Sequence, residues 1–385
     1  MAEQRPDDRD SRRVGGTSHY RVIFAEFLSG QVWGELPVSD LQFTRTLNAP
    51  GAASIKVPLA AGPLDFQALQ PWRVLVYIQR GGQVLWGGPL VSYGVDLGAE
   101  EVTLSCLGLW AYYRRRVINY TSTHTQRDQA LIVRTLLRDF GDGTGAYPWN
   151  TGPKALTLDD SFTTGVLRDR TYWRHEWKNL GQAVEDMAAV ANGFDFRIDP
   201  AWSAGRLVNR FVMSYPTTGE PTSVVLDHGA TCDVTAFTVD GSNVATEATA
   251  TGAGDAEAQL ATWWYDLEHE TDASRRIPRL ATVQSRTDVT DVGTLAEYAQ
   301  QAISEGSTPL VVPAVRLYPG QYPGTGDLAV GQLVQVRASV AGWPAVNGTY
   351  KITEITTRVD SSGEDTALML APKGVFDRVG SYARP

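Results

Sequence analysis

Apolar positions recur at period two along most of the chain, most clearly from Trp72 to Arg116. Val74, Val76 and Ile78 alternate with residues facing the other way, and Arg80-Gly81-Gly82-Gln83 supplies the glycines that a two-residue hairpin turn with positive φ requires. A second hairpin follows: Val91, Tyr93, Val95 and Leu97 share one face, Gly98-Ala99-Glu100 reverses the chain, and Val102, Leu104 and Cys106 return. The run predicts a β-meander. The same layout recurs from 331 to 374. There Val334 and Val336 alternate with Gln335 and Arg337, Asn347-Gly348 predicts a tight turn, Tyr350 to Val359 a long strand, Ser361-Ser362-Gly363 its reversal and Thr366 to Leu370 the return. Two antiparallel units of similar plan thus flank the middle of the chain, although two ordinary meanders would also look alike. Two copies are too few for a solenoid.

Short alternating segments at 20–28, 31–36, 40–46 and 54–59, separated by Ser29-Gly30, Pro37 and Asn48-Ala49-Pro50-Gly51, complete a first β-domain at 19–119. Closing its sheet into a small barrel would leave few exposed edges. Helical spacing then takes over. Thr125 is the expected cap, with Asp128 three residues on, Ala130, Leu131, Val133, Leu136, Leu137 and Phe140 as the stripe and Gly141 as the stop. A second helix is predicted from Asn179 to Ala191, stopped by Asn192-Gly193 and followed by a strand from Phe194 to Ile198, which makes 120–204 an inserted α+β lobe. Strands at Arg206 to Tyr215, Ser223 to Leu226 and Asp233 to Asp240 open a second β-barrel-like domain, 205–250 plus 307–376. An excursion at 251–306 interrupts it with a third helix, Thr294 to Ser304, that turns Leu295, Tyr298, Ala299, Ala302 and Ile303 inward. Residues 1–18 read as a charged, flexible arm and 377–385 as a tail. The fold class is β-rich α+β, with two small antiparallel β-barrel-like domains.

Composition narrows the function. A formal charge of -9 argues against nucleic-acid binding, because a phosphate-neutralising surface needs a basic surplus; an acidic surface would instead let DNA slide past. Cys106 and Cys232 lie far apart with no metal-ligand spacing, and Cys106 sits at an inward strand position, so a disulfide scaffold is not expected. No apolar run is long enough to span a bilayer and the first residues lack a secretion signal, so a soluble product made in a cytoplasm is expected.

Candidate chemistry is sparse. His19, His124, His175, His228 and His269 are scattered singly, and Asp139-Phe140-Gly141-Asp142-Gly143 lacks the Glu that would close a calcium loop. Gly252-Ala253-Gly254-Asp255 has no P-loop lysine, and no Gly-x-Ser-x-Gly elbow occurs. A glycosidase needs two carboxylates roughly 5 to 10 Å apart; Asp159-Asp160, Asp195 with Asp199, or Asp266, Glu268 and Glu270 are the candidates, though an acidic chain offers such pairs by chance. Trp86 and Trp110 fall within strand patterns and read as core, whereas Trp149, Trp202, Trp263 and Trp264 sit in or near loops and read as a partner surface. Arg114-Arg115-Arg116 reads as a salt-bridging interface cluster. No catalytic, cofactor-binding or metal residue is assigned, and no cofactor is expected.

The Trp86-Gly87-Gly88 step, the long hairpin and the Leu-rich return into an aromatic and arginine run resemble the tail hub proteins of long-tailed bacteriophages. This family is also known as minor tail or tail-associated proteins and is related to the baseplate hub of contractile tails. The passage Asn179 to Ile198 and the run from Gly331 through Val359 also fit its habit, and the likeness spans about 20 to 372. The resemblance implies a homotrimeric hub closing the tail tube, with two β-barrel domains per chain. Three chains would then present six similar units to a six-fold ring. It implies as partners the distal tail protein ring, the C-terminus of the tape-measure protein and downstream tail-tip or fibre proteins. DNA would pass the lumen without specific binding, and the chain would not enter a membrane. The location implied is the virion tail tip, after assembly in the bacterial host cytoplasm. Relatives with a long C-terminal extension carry a wall hydrolase or fibre; this chain stops soon after its second β-unit, so those activities are expected on another chain. The rival readings are a carbohydrate-binding adhesin at the tail tip, using the loop tryptophans, and a wall-degrading glycosidase.

Overall fold

The computed structural model describes residues 20–59, 69–142, 156–190, 192–254, 258–269, 271–272, 276–287, 289–307, 310–339 and 346–373. The first unit comprises β1 (Tyr20–Glu26), β2 (Val32–Leu36), β3 (Asp40–Thr46), β4 (Ala52–Pro58), β5 (Val74–Arg80), β6 (Gln83–Asp96) and β7 (Glu101–Leu107). Their order is β2-β1-β5-β6-β7-β4-β3, antiparallel throughout. The inward set of each strand meets in one core that includes Phe24, Phe43, Ile55, Ile78, Trp86 and Leu104. Turn chemistry sets the registers. Gly81 takes φ +56 in the β5–β6 turn, and the Asp96 carboxylate accepts from the backbone N–H groups of Gly98 and Ala99 at 2.9 and 3.0 Å. Those donors hold its pKa below the ordinary range. Gly88 explains the tryptophan-glycine-glycine step, since a Cβ there would lie 2.0 Å from the Leu107 carbonyl oxygen.

The inserted lobe comprises α1 (Trp110–Tyr113), β8 (Ser122–Asp128), α2 (Gln129–Leu136), β9 (Thr157–Leu158), β10 (Leu167–Tyr172), α3 (Leu180–Ala188), β11 (Asp195–Ser203) and β12 (Arg206–Ser214). Thr125 does not cap α2. It lies inside β8, and Asp128 is the cap, accepting from the Ala130 N–H at 2.8 Å while its other oxygen takes Thr164 and Gly165. Beyond Leu136 the chain continues as a π-type turn to Asp142. The second helix begins as expected, with Asn179 accepting from Gln182 N–H at 3.0 Å, but ends at Ala188. β12, expected to open the second β-unit, pairs along its length with β11 instead.

The second unit begins with β13 (Glu220–Asp227) and β14 (Cys232–Asp240). An excursion of β15 (Glu247–Thr251), β16 (Ala261–Tyr265), β17 (Ala281–Ser285) and α4 (Val292–Gly306) follows, and β18 (Leu310–Leu317), β19 (Gln332–Ala338), β20 (Val346–Asp360) and β21 (Gly363–Pro372) complete the unit. Its order is β13-β19-β20-β21-β18-β14, with β13 and β19 parallel and the other neighbours antiparallel. α4 is capped by Asp291 and buries Leu295, Tyr298, Ala299 and Ile303 against the three-stranded sheet β16-β15-β17. Asn347-Gly348 is not a turn: both residues lie in β20, opposite Arg337 and Val336. The β19–β20 connection falls at 340–345, outside the described residues.

Among the described residues neither unit closes into a barrel. The end strands β2 and β3 of the first unit share no ladder among the described residues, because the outer edge of β3 pairs with β20. The two units are therefore one continuous sheet of thirteen strands.

Candidate functional site

β20 is fifteen residues long and serves two neighbours along one edge. Val346 to Lys351 pair with β19; after a bulge at Ile352 to Glu354, Glu354 to Val359 pair antiparallel with β3. Ile355 lies opposite Arg45 and Thr357 opposite Phe43. The Thr44 and Thr356 hydroxyls bond at 3.0 Å, and Leu47 N–H donates to the Thr353 carbonyl at 2.9 Å. Ile355, Thr357 and Phe43 are fully buried, so this face of the seam is dry.

Beside the seam, the inserted lobe joins both units through buried charge. Lys351 Nζ donates to Asp195 Oδ2 at 2.9 Å, with side chains 1% and 3% exposed, and to the Thr217 carbonyl at 2.8 Å. Asn48, held at φ +56 in the β3–β4 turn, donates to Asp195 Oδ1 at 3.1 Å and accepts from the Phe196 N–H at 2.6 Å. Burial raises the Asp195 carboxyl and lowers the Lys351 ammonium, each partly offset by the other. Arg197 ties Asp199 and Glu220 at 2.9 and 2.8 Å. Arg45 donates to the Thr325 and Leu328 carbonyls at 2.6 and 3.0 Å; burial brings its pKa down to about 10, so it stays charged at neutral pH. An open cleft of about 500 Å³ lies alongside, lined by Gln83, Asp199, Trp202, Asp327 and Gln332.

The expected interface residues divide. Arg114 forks onto Glu185 of α3 at 2.6 and 3.0 Å, Arg115 stacks 4.9 Å over the Trp72 ring, and Arg116 donates to the Phe140 carbonyl at 2.9 Å. The cluster thus pins the first unit to the inserted lobe inside one chain. Trp202 is 40% exposed, with its Nε1 donating to Gln79 at 2.8 Å, and Trp263 is 54% exposed on β16. Trp264 faces the other way, against the α4 core, and Trp149 lies outside the described residues. Trp86 and Trp110 are buried as expected.

The candidate acids are occupied elsewhere. Asp159 accepts from Ser161, Asp160 pairs with Arg138, and Asp266 accepts from the Glu268 N–H; Glu270 is outside the described residues. Among the described residues no group of three His, Cys, Asp or Glu could hold a metal. No helix there is long and apolar enough to cross a membrane. Both cysteines are buried free thiols, with pKa pushed up to about 12 for Cys106 and about 11 for Cys232. Sequence reasoning missed Asn48, Lys351 and the second partner of β20. The signal available for the last was length, since most strands here are half as long.

No protein-family model and no curated protein matches the sequence. The fold has solved counterparts. The 43 kDa tail protein of prophage MuSo2 from Shewanella oneidensis is 12% identical, with a TM-score of 0.58 over 93% of this chain and 100% of its own. The tail protein from Neisseria meningitidis MC58 is 13% identical, with a TM-score of 0.57 over 93% and 98%. Prophage tail protein gp18 from Listeria monocytogenes EGD-e is 11% identical, with a TM-score of 0.51 over 91% and 94%. The chain has the fold of these phage tail proteins along nearly its whole described length.

Proposed function

We propose that this chain is a structural protein of a bacteriophage tail and acts as the hub at its tip, three copies closing the end of the tube. The observation that carries this reading is the repeated unit: β2 apart, the two β-units follow the same strand order and are fused in one sheet. Three chains with two such units each present six similar faces, enough to seat on a six-fold ring while the rest of the assembly stays three-fold. The shared fold with tail proteins supports a place in the virion. Its work is assembly and gating, without catalysis or cofactor, and its partners are the distal tail ring, the end of the tape-measure protein and downstream tip or fibre proteins. The charge of -9 supports a bore that DNA passes without adhering. Assembly takes place in the host cytoplasm.

The test is the mass of the purified chain in solution, alone and mixed with its distal ring protein. A three-fold species in either sample is expected. A strict monomer in both would remove the hub reading.

A further inference from the structure

Beside the seam a buried amine, a carboxylate and a carboxamide are linked in one hydrogen-bonded chain. Asn48 is fixed twice by Phe196: its backbone N–H donates to the Phe196 carbonyl at 3.0 Å, and its side-chain Oδ1 accepts from the Phe196 N–H at 2.6 Å. The second of these bonds orients the amide, so that Nδ2 donates to Asp195 Oδ1 at 3.1 Å. The other oxygen of the same carboxylate takes Lys351 Nζ at 2.9 Å. One carboxylate therefore bridges a primary amine and the nitrogen of a carboxamide. The register of the seam brings them there: Thr46 lies opposite Glu354 and Leu47 N–H donates to the Thr353 carbonyl at 2.9 Å, with Asn48 and Lys351 just beyond on their two strands.

Exchange of one amide nitrogen for another needs an amine that can lose its proton and a carbonyl whose oxygen is polarised. It also needs a group that moves protons from the incoming nitrogen to the outgoing one, all held in place away from water. Burial lowers the pKa of Lys351 and so favours the neutral amine. The Phe196 N–H lies where negative charge would grow on Asn48 Oδ1. Asp195 touches both nitrogens, and burial raises its pKa, which suits a proton carrier. Lys351, Phe194, Phe196 and Ile352 are each at most 2% exposed, so water is kept out.

We infer that Lys351 and Asn48 become joined by an isopeptide bond, a modification that the chain makes on itself after folding. Lys351 Nζ passes a proton to Asp195 and attacks Cγ of Asn48. Charge develops on Oδ1 against the Phe196 N–H, Asp195 hands the proton to Nδ2, and the Cγ–Nδ2 bond breaks. The remaining extra proton of the attacking nitrogen follows the same route, so an ammonium and a carboxamide become a secondary amide and free ammonium, with the Asp195 carboxylate restored. Asp195 is the carrier and not the target, because its negative charge makes its own carbon a poor electrophile. The freshly folded chain holds the ion pair alone, and the bond closes with time. It then ties the β3–β4 turn of the first unit to β20 of the second, whatever the oligomeric state.

The intact mass of the full chain, followed from purification through a long incubation at neutral pH, tests this. The mass should fall by one ammonia, and a protease digest should yield a branched peptide joining the segments that contain Asn48 and Lys351. An unchanged mass overturns the inference, as does a branch that ends on Asp195 with loss of water. Asn48 closing on its own backbone would also release ammonia, so Lys351→Arg, which keeps the charge and lacks the primary amine, is compared: its mass should stay constant. Ammonia loss in that variant, or in the unaltered chain without the branched peptide, overturns the bond. The branched peptide comes from the unaltered chain, so it decides the outcome even where a variant does not fold.

Discussion

The two β-units reach one strand order through different connections. In the first, β3 passes to β4 by the short turn 47–51; in the second, the corresponding strands β14 and β18 are separated by 241–309, which holds a sheet and a helix of its own. In the first, β1 meets β5 antiparallel; in the second, β13 meets β19 parallel. What the units share is the alternation that fills a core and the ladder that follows from it. Lengthening a loop costs little, because closure entropy grows only with the logarithm of its length, so an excursion can be accommodated where the flanking strands stay paired. The units also differ in how they are anchored: the second holds the inserted lobe through Lys351 and Asp195, and β6, the counterpart of β20, carries no lysine.

The largest effect should come from that anchor. Lys351→Met strands a buried carboxylate and should cost about 3–5 kcal/mol in denaturant unfolding. Burial already raises Asp195 and lowers Lys351, so the pair gains little net stability, and the double variant Asp195→Asn with Lys351→Met should recover most of the loss. A double variant as weak as the single would mean that the charges themselves set the docking. Next, Ile55→Ala in the first core and Ile352→Ala in the second, both at 0% exposed positions, should each cost about 2–5 kcal/mol. Because the seam makes one sheet, each should move a single calorimetric transition; two separable transitions would show units that fold independently.

The smallest effect concerns the inserted lobe. His124 is buried, with Ser122 at 3.0 Å from Nε2 and Arg127 at 3.4 Å from Nδ1, and burial, reinforced by Arg127, holds its pKa below the ordinary value. The folded state thus favours the neutral ring: its contribution is complete above the unfolded value of about 6.5 and is lost as pH falls through the lowered folded one. His124→Gln should flatten the fall in unfolding midpoint between neutral pH and the acid limb. An unchanged slope would assign the pH dependence to other groups.

Much of the fold was legible because it is written locally. Period-two alternation located the strands of both units, Gly81-Gly82 and Ser361-Ser362 marked real reversals, and Asn179 and Gly141 sat near real helix boundaries. The errors share a cause. Asn347-Gly348 has the chemistry of a turn yet lies in a strand, because β19 pairs with β20 there and the ladder outweighs local preference. Thr125 and Asp128 are both good caps, and only the pairing of Ser122 to Asp128 with β10 decides that the helix begins after the second. The sequence marks the arginine cluster as a salt-bridging patch but does not show that Glu185, Trp72 and the Phe140 carbonyl arrive beside it.

Side-chain alternation, turn residues and caps act over a few neighbours, so the chain alone determined that it would be β-rich, with antiparallel hairpins and a few capped helices. Which edge meets which is settled between residues such as Thr44 and Thr356, about three hundred positions apart, and no local period encodes it. Only the tertiary structure could decide that β3 would leave its own barrel open to take β20, and that Lys351 would be buried against Asp195, because both depend on what dry, hydrogen-bonding surface the rest of the fold brings within reach.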